Sequence, residues 1–116
     1  MAERLNPMII NDPDEGREYT LEFNRKSVVK AERAGLDINQ LDSKSMTMIT
    51  LLFWSAFQMH HPYMTQDKTD EILFDKLGGL TEEEVTYLDK LYAETLTTLI
   101  ASKEEGLNPR RLAVKL

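Results

Sequence analysis

The most apolar stretch of the chain runs from Met46 to His61 and stops before Pro62. Ten of its sixteen residues are apolar, it holds the single tryptophan, and no Asp, Glu, Lys or Arg occurs from residue 45 to residue 66. At 3.6 residues per turn, the apolar side chains cover about half of a helix circumference. The pattern therefore predicts a core helix at the centre of the fold, with Ser43 or Ser45 as its N-cap.

Two large residues, Leu51 and Trp54, interrupt the polar side of this predicted helix and are neighbours on its surface. Either a second layer of the same domain covers them, or a partner does. Helices that are apolar nearly all round are usually buried, which favours the first alternative. The second makes Leu51 and Trp54 candidate partner-binding residues.

The N-terminal part of the chain predicts a short β-hairpin over residues 8–23. Met8 to Ile10 forms one strand, residues 11–16 are rich in turn formers, and residues 18–23 alternate strictly between polar and apolar. An isolated hairpin is only marginally stable, so its apolar face lies on the helices or pairs with a second copy. In the second case Tyr19, Leu21 and Phe23 are the self-association residues. Residues 1–7 show no hydrophobic periodicity and are expected to fray.

Three further helices are predicted over residues 25–34, 66–77 and 82–103, and a connector at 36–41 lies between the first of them and the central helix. Their expected start signals are Asn24, Thr65 and the Thr81-Glu84 capping box, and their expected stop signals are Gly35, Gly78-Gly79 and Gly106 with Pro109. The helix over 66–77 is expected to bury Ile72, Leu73 and Leu77. The fold class is therefore mainly α: a single four-helix domain over residues 1–116, with its helical body at 25–104, an apolar central helix and a short N-terminal β-hairpin.

The C-terminal tail, residues 107–116, differs in charge from the rest of the chain, because from residue 108 onward it has three cations and no acidic side chain. One interpretation is a flexible end. The other is a segment that folds on an acidic or helical partner, with Arg110, Arg111 and Leu112 as its binding residues.

Composition excludes several classes of function. Twenty acidic and fourteen basic residues give a net charge of −6, which disfavours nucleic acid as a partner, since such binding requires many cations against phosphates. There are no cysteines, so disulfides and thiolate metal sites are excluded, in keeping with a reducing compartment. No secretory signal and no membrane-spanning stretch is predicted.

No catalytic, cofactor-binding or metal-binding residues are predicted. His60 and His61 are the only histidines, and adjacent residues on a helix point about 100° apart, whereas helical metal sites use spacings of three or four. We expect the pair to lie at a helix C-terminus, near free carbonyl groups. The residues alone therefore indicate a small, acidic, mostly helical interaction domain that is not an enzyme.

Three segments together carry a resemblance to a known family: EYTLEFNRKSVVKAERAG at 18–35, LLFWSAFQMHHPYMTQDKTDEILFDKLGGL at 51–80 and TEEEVTYLDKLYAETLTTL at 81–99. They resemble the tail assembly chaperones of long-tailed phages and prophages of Gram-positive bacteria. The most specific part is the aromatic helix ending in His-His-Pro, followed by Thr-Asp-Glu-Ile and Leu-Gly-Gly-Leu. These are packing and capping residues rather than a catalytic signature.

The resemblance implies a protein of the host bacterial cytoplasm that keeps the tape measure protein soluble while tail-tube subunits polymerise around it, and that is absent from the finished particle. Such a role favours self-association into an oligomer along the client. Genes of that family often also produce a longer form by ribosomal frameshifting, an event that the protein sequence does not show. Two alternatives remain: a small regulatory or anti-host binding protein, and a head-tail or tail-completion structural protein.

Overall fold

The computed structural model describes residues 4–99 and 110–116 of the chain. A β-hairpin of β1 (Met8–Asp12) and β2 (Arg17–Leu21) precedes the helices α1 (Arg25–Arg33), α2 (Ser45–Phe57), α3 (Gln66–Glu71) and α4 (Glu82–Leu96). Two 3-10 turns, Ile38–Gln40 and Thr97–Leu99, and a π-helical turn, Ile72–Lys76, complete the elements of the described residues. The mainly α fold with an N-terminal hairpin is confirmed. The predicted end of the last helix, near Lys103, lies outside the described residues.

The centre of the core is α2, as its apolar pattern predicts. Every residue from 51 to 58 is buried, and Leu52, Phe53 and Phe57 have no exposed surface. This helix packs against α1, α3, α4 and β2, so it has protein on nearly all sides. Burial of large apolar side chains contributes about 1.5–3 kcal/mol each, and α2 supplies more of them than any other element described.

The apolar face of the hairpin lies on α2. Tyr19 and Leu21 of β2 pair with Ile10 and Met8 of β1, and the Tyr19 ring meets the Phe57 ring edge-on at 5.4 Å. Tyr19, Leu21 and Phe23 are only 1%, 0% and 2% exposed. The self-association role considered for these three residues therefore has no surface to act through, because the helices of the same chain already cover them.

The outer edge of β2 is also occupied. Next to the strand, the Glu22 N–H donates a hydrogen bond to the Ala56 carbonyl at 3.0 Å, and within it the Thr20 N–H donates to Nε2 of His61 at 3.0 Å. Strand edges normally leave such groups open to another chain. Here Ala56, at the end of α2, and His61, in the segment after it, accept these two N–H groups, which joins the hairpin to the helical body.

Local sequence signals place most helix ends correctly. Asn24 forms a capping box with Ser27, Thr81 forms one with Glu84, and Thr65 accepts the Lys68 N–H. Gly35 ends α1 with a φ of 108°, a left-handed conformation that favours glycine. The serine caps expected for α2 were wrong. Its N-cap is Lys44, which makes no side-chain capping bond, and the Ser45 hydroxyl instead donates to the Leu41 carbonyl at 2.8 Å.

Helix α2 ends at Phe57, four residues before the end predicted at His61. The Gln58 N–H bonds the Ser55 carbonyl at 3.1 Å, a three-residue spacing that tightens the last turn. His61 precedes Pro62, and the residue before a proline is disfavoured in a helical conformation. The chain therefore leaves the helix early enough for the histidines to reach the hairpin.

The helix predicted over 66–77 changes its winding part-way. After α3 the Leu77 N–H bonds the Ile72 carbonyl at 2.9 Å, five residues back, which is the spacing of a π-helix. Ile72 and Leu73 are buried as predicted, but Leu77 is 40% exposed. The wider turn rotates Leu77 away from the core face that an α-helix would give it.

Residues 1–7 are predicted to fray; residues 1–3 lie outside the described residues, and from Arg4 onward the segment contacts α4. The Leu5 N–H donates to the Glu94 carboxylate at 2.7 Å, and the Tyr87 hydroxyl donates to the Asn6 carbonyl at 2.5 Å. Arg4 also lies within 4 Å of the carboxylates of Glu22 and Glu94. The segment before β1 is thus attached to α4.

Candidate interaction surfaces

The described part of the tail, residues 110–116, presents apolar and basic side chains to solvent. It forms no helix or strand, and Leu112 and Val114 are 86% and 63% exposed. Leu116 is exposed as well, so apolar side chains recur at every second position, with Arg111 and Lys115 among them. Of the tail residues predicted to bind a partner, Arg110, Arg111 and Leu112 all lie at the surface.

The other predicted partner-binding residues, Leu51 and Trp54, lie inside the protein. They are 6% and 8% exposed. The Trp54 indole N–H donates to the Met64 carbonyl at 3.1 Å, so the polar edge of the ring is satisfied within the chain. The second layer considered for this side of α2 is therefore present, and neither residue forms part of a contact surface in the folded monomer.

Three polar contacts enclose Trp54. The Gln58 amide donates to the Met64 carbonyl at 2.9 Å, and the Lys30 ammonium donates to the Gln58 side-chain oxygen. The same ammonium lies 5.4 Å from the centre of the Trp54 ring, within the range of a cation–π contact. This network ties α1, α2 and the loop after α2 to one another.

The two histidines contact the hairpin rather than free helix carbonyls. Nε2 of His60 lies 2.8 Å from the Glu22 carboxylate, whereas Nε2 of His61 accepts the Thr20 N–H. Burial lowers the pKa of His61, and the neighbouring charges of His60 and Arg17 lower it further. A neutral imidazole is required for the bond from Thr20, so this environment favours the form of His61 that the fold uses.

An ion-pair cluster joins the end of β1 to the π-helical turn. Lys76 Nζ lies 2.5 Å from the Asp12 carboxylate and 3.3 Å from that of Glu15. The hydrogen bond from Lys76 lowers the pKa of Asp12, and the same bond raises the pKa of Lys76. Asp12 is buried, and the pairing with Lys76 offsets the cost of holding its charge there.

Residues 4–99 and 110–116 contain no group of three or more His, Asp or Glu residues that could hold a metal ion, and no buried side-chain polar atom in them lacks a hydrogen-bond partner. None of the helices in this part of the chain has the length and apolar composition needed to cross a bilayer.

A family model described as a domain of unknown function (DUF5055) matches residues 1–116. The chain belongs to the DUF5055 family. Comparisons with curated proteins and with solved structures found no match.

Two surface features of this DUF5055 protein are not among the residues predicted from the sequence. One is a set of apolar side chains on the folded body, each at least 40% exposed: Ile9, Val29, Met46, Tyr63, Phe74 and Leu77. The other is the outward face of α1, where four cations surround Val29. The signal for the second was present in the sequence, because Arg25, Lys26, Lys30 and Arg33 recur at helical spacing.

Proposed function

We propose that this protein is a phage tail assembly chaperone that binds and solubilises the tape measure protein and helps to recruit tail-tube subunits in the host bacterial cytoplasm. It acts as a binding protein rather than as an enzyme. The resemblance of residues 18–35, 51–80 and 81–99 to that family suggests the role. The observation that carries it is the exposed tail, with apolar side chains at 112, 114 and 116 beside basic ones.

Such a tail suits an apolar helical client. Fully burying a leucine or valine side chain contributes about 1.5–3 kcal/mol, and these residues are exposed in the free protein. The body of the domain remains acidic and hydrated, which supplies solubility. We therefore propose that residues 110–116 contact the client. Leu51 and Trp54 are not part of the proposed surface, because they are buried in the folded protein.

Coexpression with the tape measure protein encoded beside it tests the proposal. We expect soluble tape measure protein that elutes with several copies of this chain in size-exclusion chromatography with light scattering. The double variant L112S/V114S is expected to leave the client insoluble, because it removes two of the exposed apolar side chains of the tail. The matched control, I9S/Y63S, removes two exposed apolar side chains from the body and is expected to behave as wild type.

Two outcomes would contradict the proposal. In the first, the tape measure protein stays insoluble and the wild-type chain elutes alone, which would favour a small regulatory or anti-host binding protein. In the second, mass spectrometry finds this chain in purified particles. A chaperone is expected to be absent from them, whereas a head-tail or tail-completion protein would be present.

A further inference from the structure

The outward side of α1 is a basic face centred on one apolar residue. At 100° per residue, positions 25, 26, 29, 30 and 33 fall within one arc of about 140°, while the buried Ser27, Val28 and Ala31 fall on the opposite side. We call this set the α1 face: Arg25, Lys26, Val29, Lys30 and Arg33. These residues line an open groove of about 470 Å³.

The charge of the α1 face is opposite to that of the protein. Its four cations, with Glu32 at the margin, give α1 a net charge of +3, whereas the whole chain carries −6. The acidic excess lies elsewhere: residues 66–94 contain nine acidic and three basic side chains. In the described residues, the ion pairs involve Arg4, His60 and Lys76, and none involves a cation of the α1 face.

The five side chains differ in how firmly the fold holds them. Arg25 Nε donates to the Thr98 hydroxyl at 3.1 Å, and Lys30 is fixed over Trp54 by its bond to Gln58. These contacts orient both cations through neutral groups, so neither charge is neutralised. Val29 lies between the two arginines on the helix surface and is 43% exposed.

We propose that the α1 face binds an acidic helical segment of a partner protein, whose carboxylates meet the four cations while an apolar side chain covers Val29. The face spans eight residue steps, about 12 Å, which matches two turns of a partner helix. A nucleic acid fits less well, because its phosphates would extend past the face onto an acidic body, and because Val29 offers no contact to phosphate. The proposal concerns a surface separate from the tail and goes beyond the proposed chaperone function.

The test uses a synthetic helical peptide of about 15 residues, near the length at which isolated helices become stable, with glutamates on one face and leucines beside them. Trp54 is the single tryptophan, so its fluorescence reports changes in the Lys30 contact during titration. Binding is expected at low salt and is expected to weaken as salt is added. A matched peptide with glutamine in place of glutamate is expected not to bind.

The variant K26Q/R33Q removes two cations that no contact in the described structure engages, so folding is expected to be unaffected. Exposed charge pairs are weak individually, and losing two should reduce the affinity by about tenfold. The control K68Q/K90Q makes the same change in net charge on α3 and α4 and is expected to bind the peptide as wild type.

Several results would overturn the proposal: no binding of the acidic peptide, equal binding by K26Q/R33Q and wild type, or binding of a duplex oligonucleotide in place of the peptide. Self-association at low salt that K26Q/R33Q abolishes would overturn it too, since the occupant would then be a second copy of this chain. Circular dichroism of both double variants verifies that they are folded.

Discussion

Met46 and Met48 lie two residues apart on α2 and differ widely in environment, since Met46 is 71% exposed and Met48 is 5% exposed. Met48 also accepts a hydrogen bond from the Asp37 N–H to its sulfur at 3.3 Å. We expect M48A to lower the free energy of unfolding by about 2–4 kcal/mol, because it leaves a cavity in the core. M46A is expected to change it by less than about 0.5 kcal/mol. Urea denaturation measures both, and equal losses would contradict the burial of Met48 in the core.

His61 gives the fold a dependence on pH. Because its pKa is lower in the folded protein than in the unfolded chain, the unfolded chain binds more protons at mildly acidic pH. As far as His61 is concerned, the free energy of unfolding is therefore highest above the pKa of histidine in the unfolded chain, about 6.5, and it declines as the pH falls through that pKa. We expect the free energy of unfolding to decrease between about pH 7 and pH 5, as protonation of Nε2 removes the acceptor for the Thr20 N–H.

The variant H61Q tests this assignment, because glutamine has an acceptor oxygen but does not titrate. Its unfolding free energy is expected to vary less with pH over the same range than that of wild type. H60Q serves as the matched histidine variant, since it removes the contact with Glu22 and leaves the bond from Thr20 in place. An undiminished pH dependence in H61Q would assign the effect to another group.

At the scale of the element, the start of α4 rests on its capping box. The Thr81 hydroxyl accepts the Glu84 N–H at 3.1 Å, and the Glu84 carboxylate accepts the Thr81 N–H at 2.8 Å. T81A is expected to lower the free energy of unfolding by about 1 kcal/mol, while T81S keeps the hydroxyl and most of the stability. Chemical denaturation of the two variants measures the difference. If T81S loses as much as T81A, the hydroxyl is not what fixes the start of the helix.

The bounds of an element can be predicted from the sequence where they are set by residues close together in the chain. The capping boxes at Asn24 and Thr81 and the glycine at 35 act on neighbouring residues, so the sequence alone places them. The early end of α2 and the π-helical turn at Ile72–Lys76 depend on contacts made after folding, with the hairpin and with the core. A prediction from hydrophobic periodicity treats the helix as uniformly wound along its length. It therefore places Leu77 on the buried face.

The candidate surfaces were less predictable than the fold. Periodicity shows that Leu51 and Trp54 are apolar neighbours, but it does not show whether α1 and the loop after α2 cover them. In the structure, Lys30, Gln58 and Met64 complete that covering from distant positions. Exposure of the tail was easier to predict, because chain termini are usually loose unless they are tied to the body of the domain, and residues 110–116 form no helix or strand.

At the scale of the whole molecule, Asp12 connects the N-terminal hairpin to the chain more than sixty residues later, through Lys76. The pKa of Asp12 is lowered in the folded protein, chiefly by the hydrogen bond from Lys76. For a carboxyl group shifted in this direction, the stabilisation is present above its unfolded pKa and is lost as the pH falls through its folded pKa. The ion pair between Lys76 and Asp12 should therefore be fully formed at neutral pH and absent in strong acid.

The variant D12N isolates this charge, because asparagine retains a side-chain oxygen for the Glu15 N–H, which Asp12 accepts at 3.3 Å. We expect D12N to unfold at a lower urea concentration than wild type at neutral pH, and the difference to vanish below the folded pKa of Asp12. D14N changes an exposed acid in the same turn and is expected to match wild type throughout. Because the pair joins two distant parts of the chain, faster hydrogen exchange in D12N should appear in both β1 and the π-helical turn. Faster exchange in β1 alone would mean that the charge stabilises only its own turn.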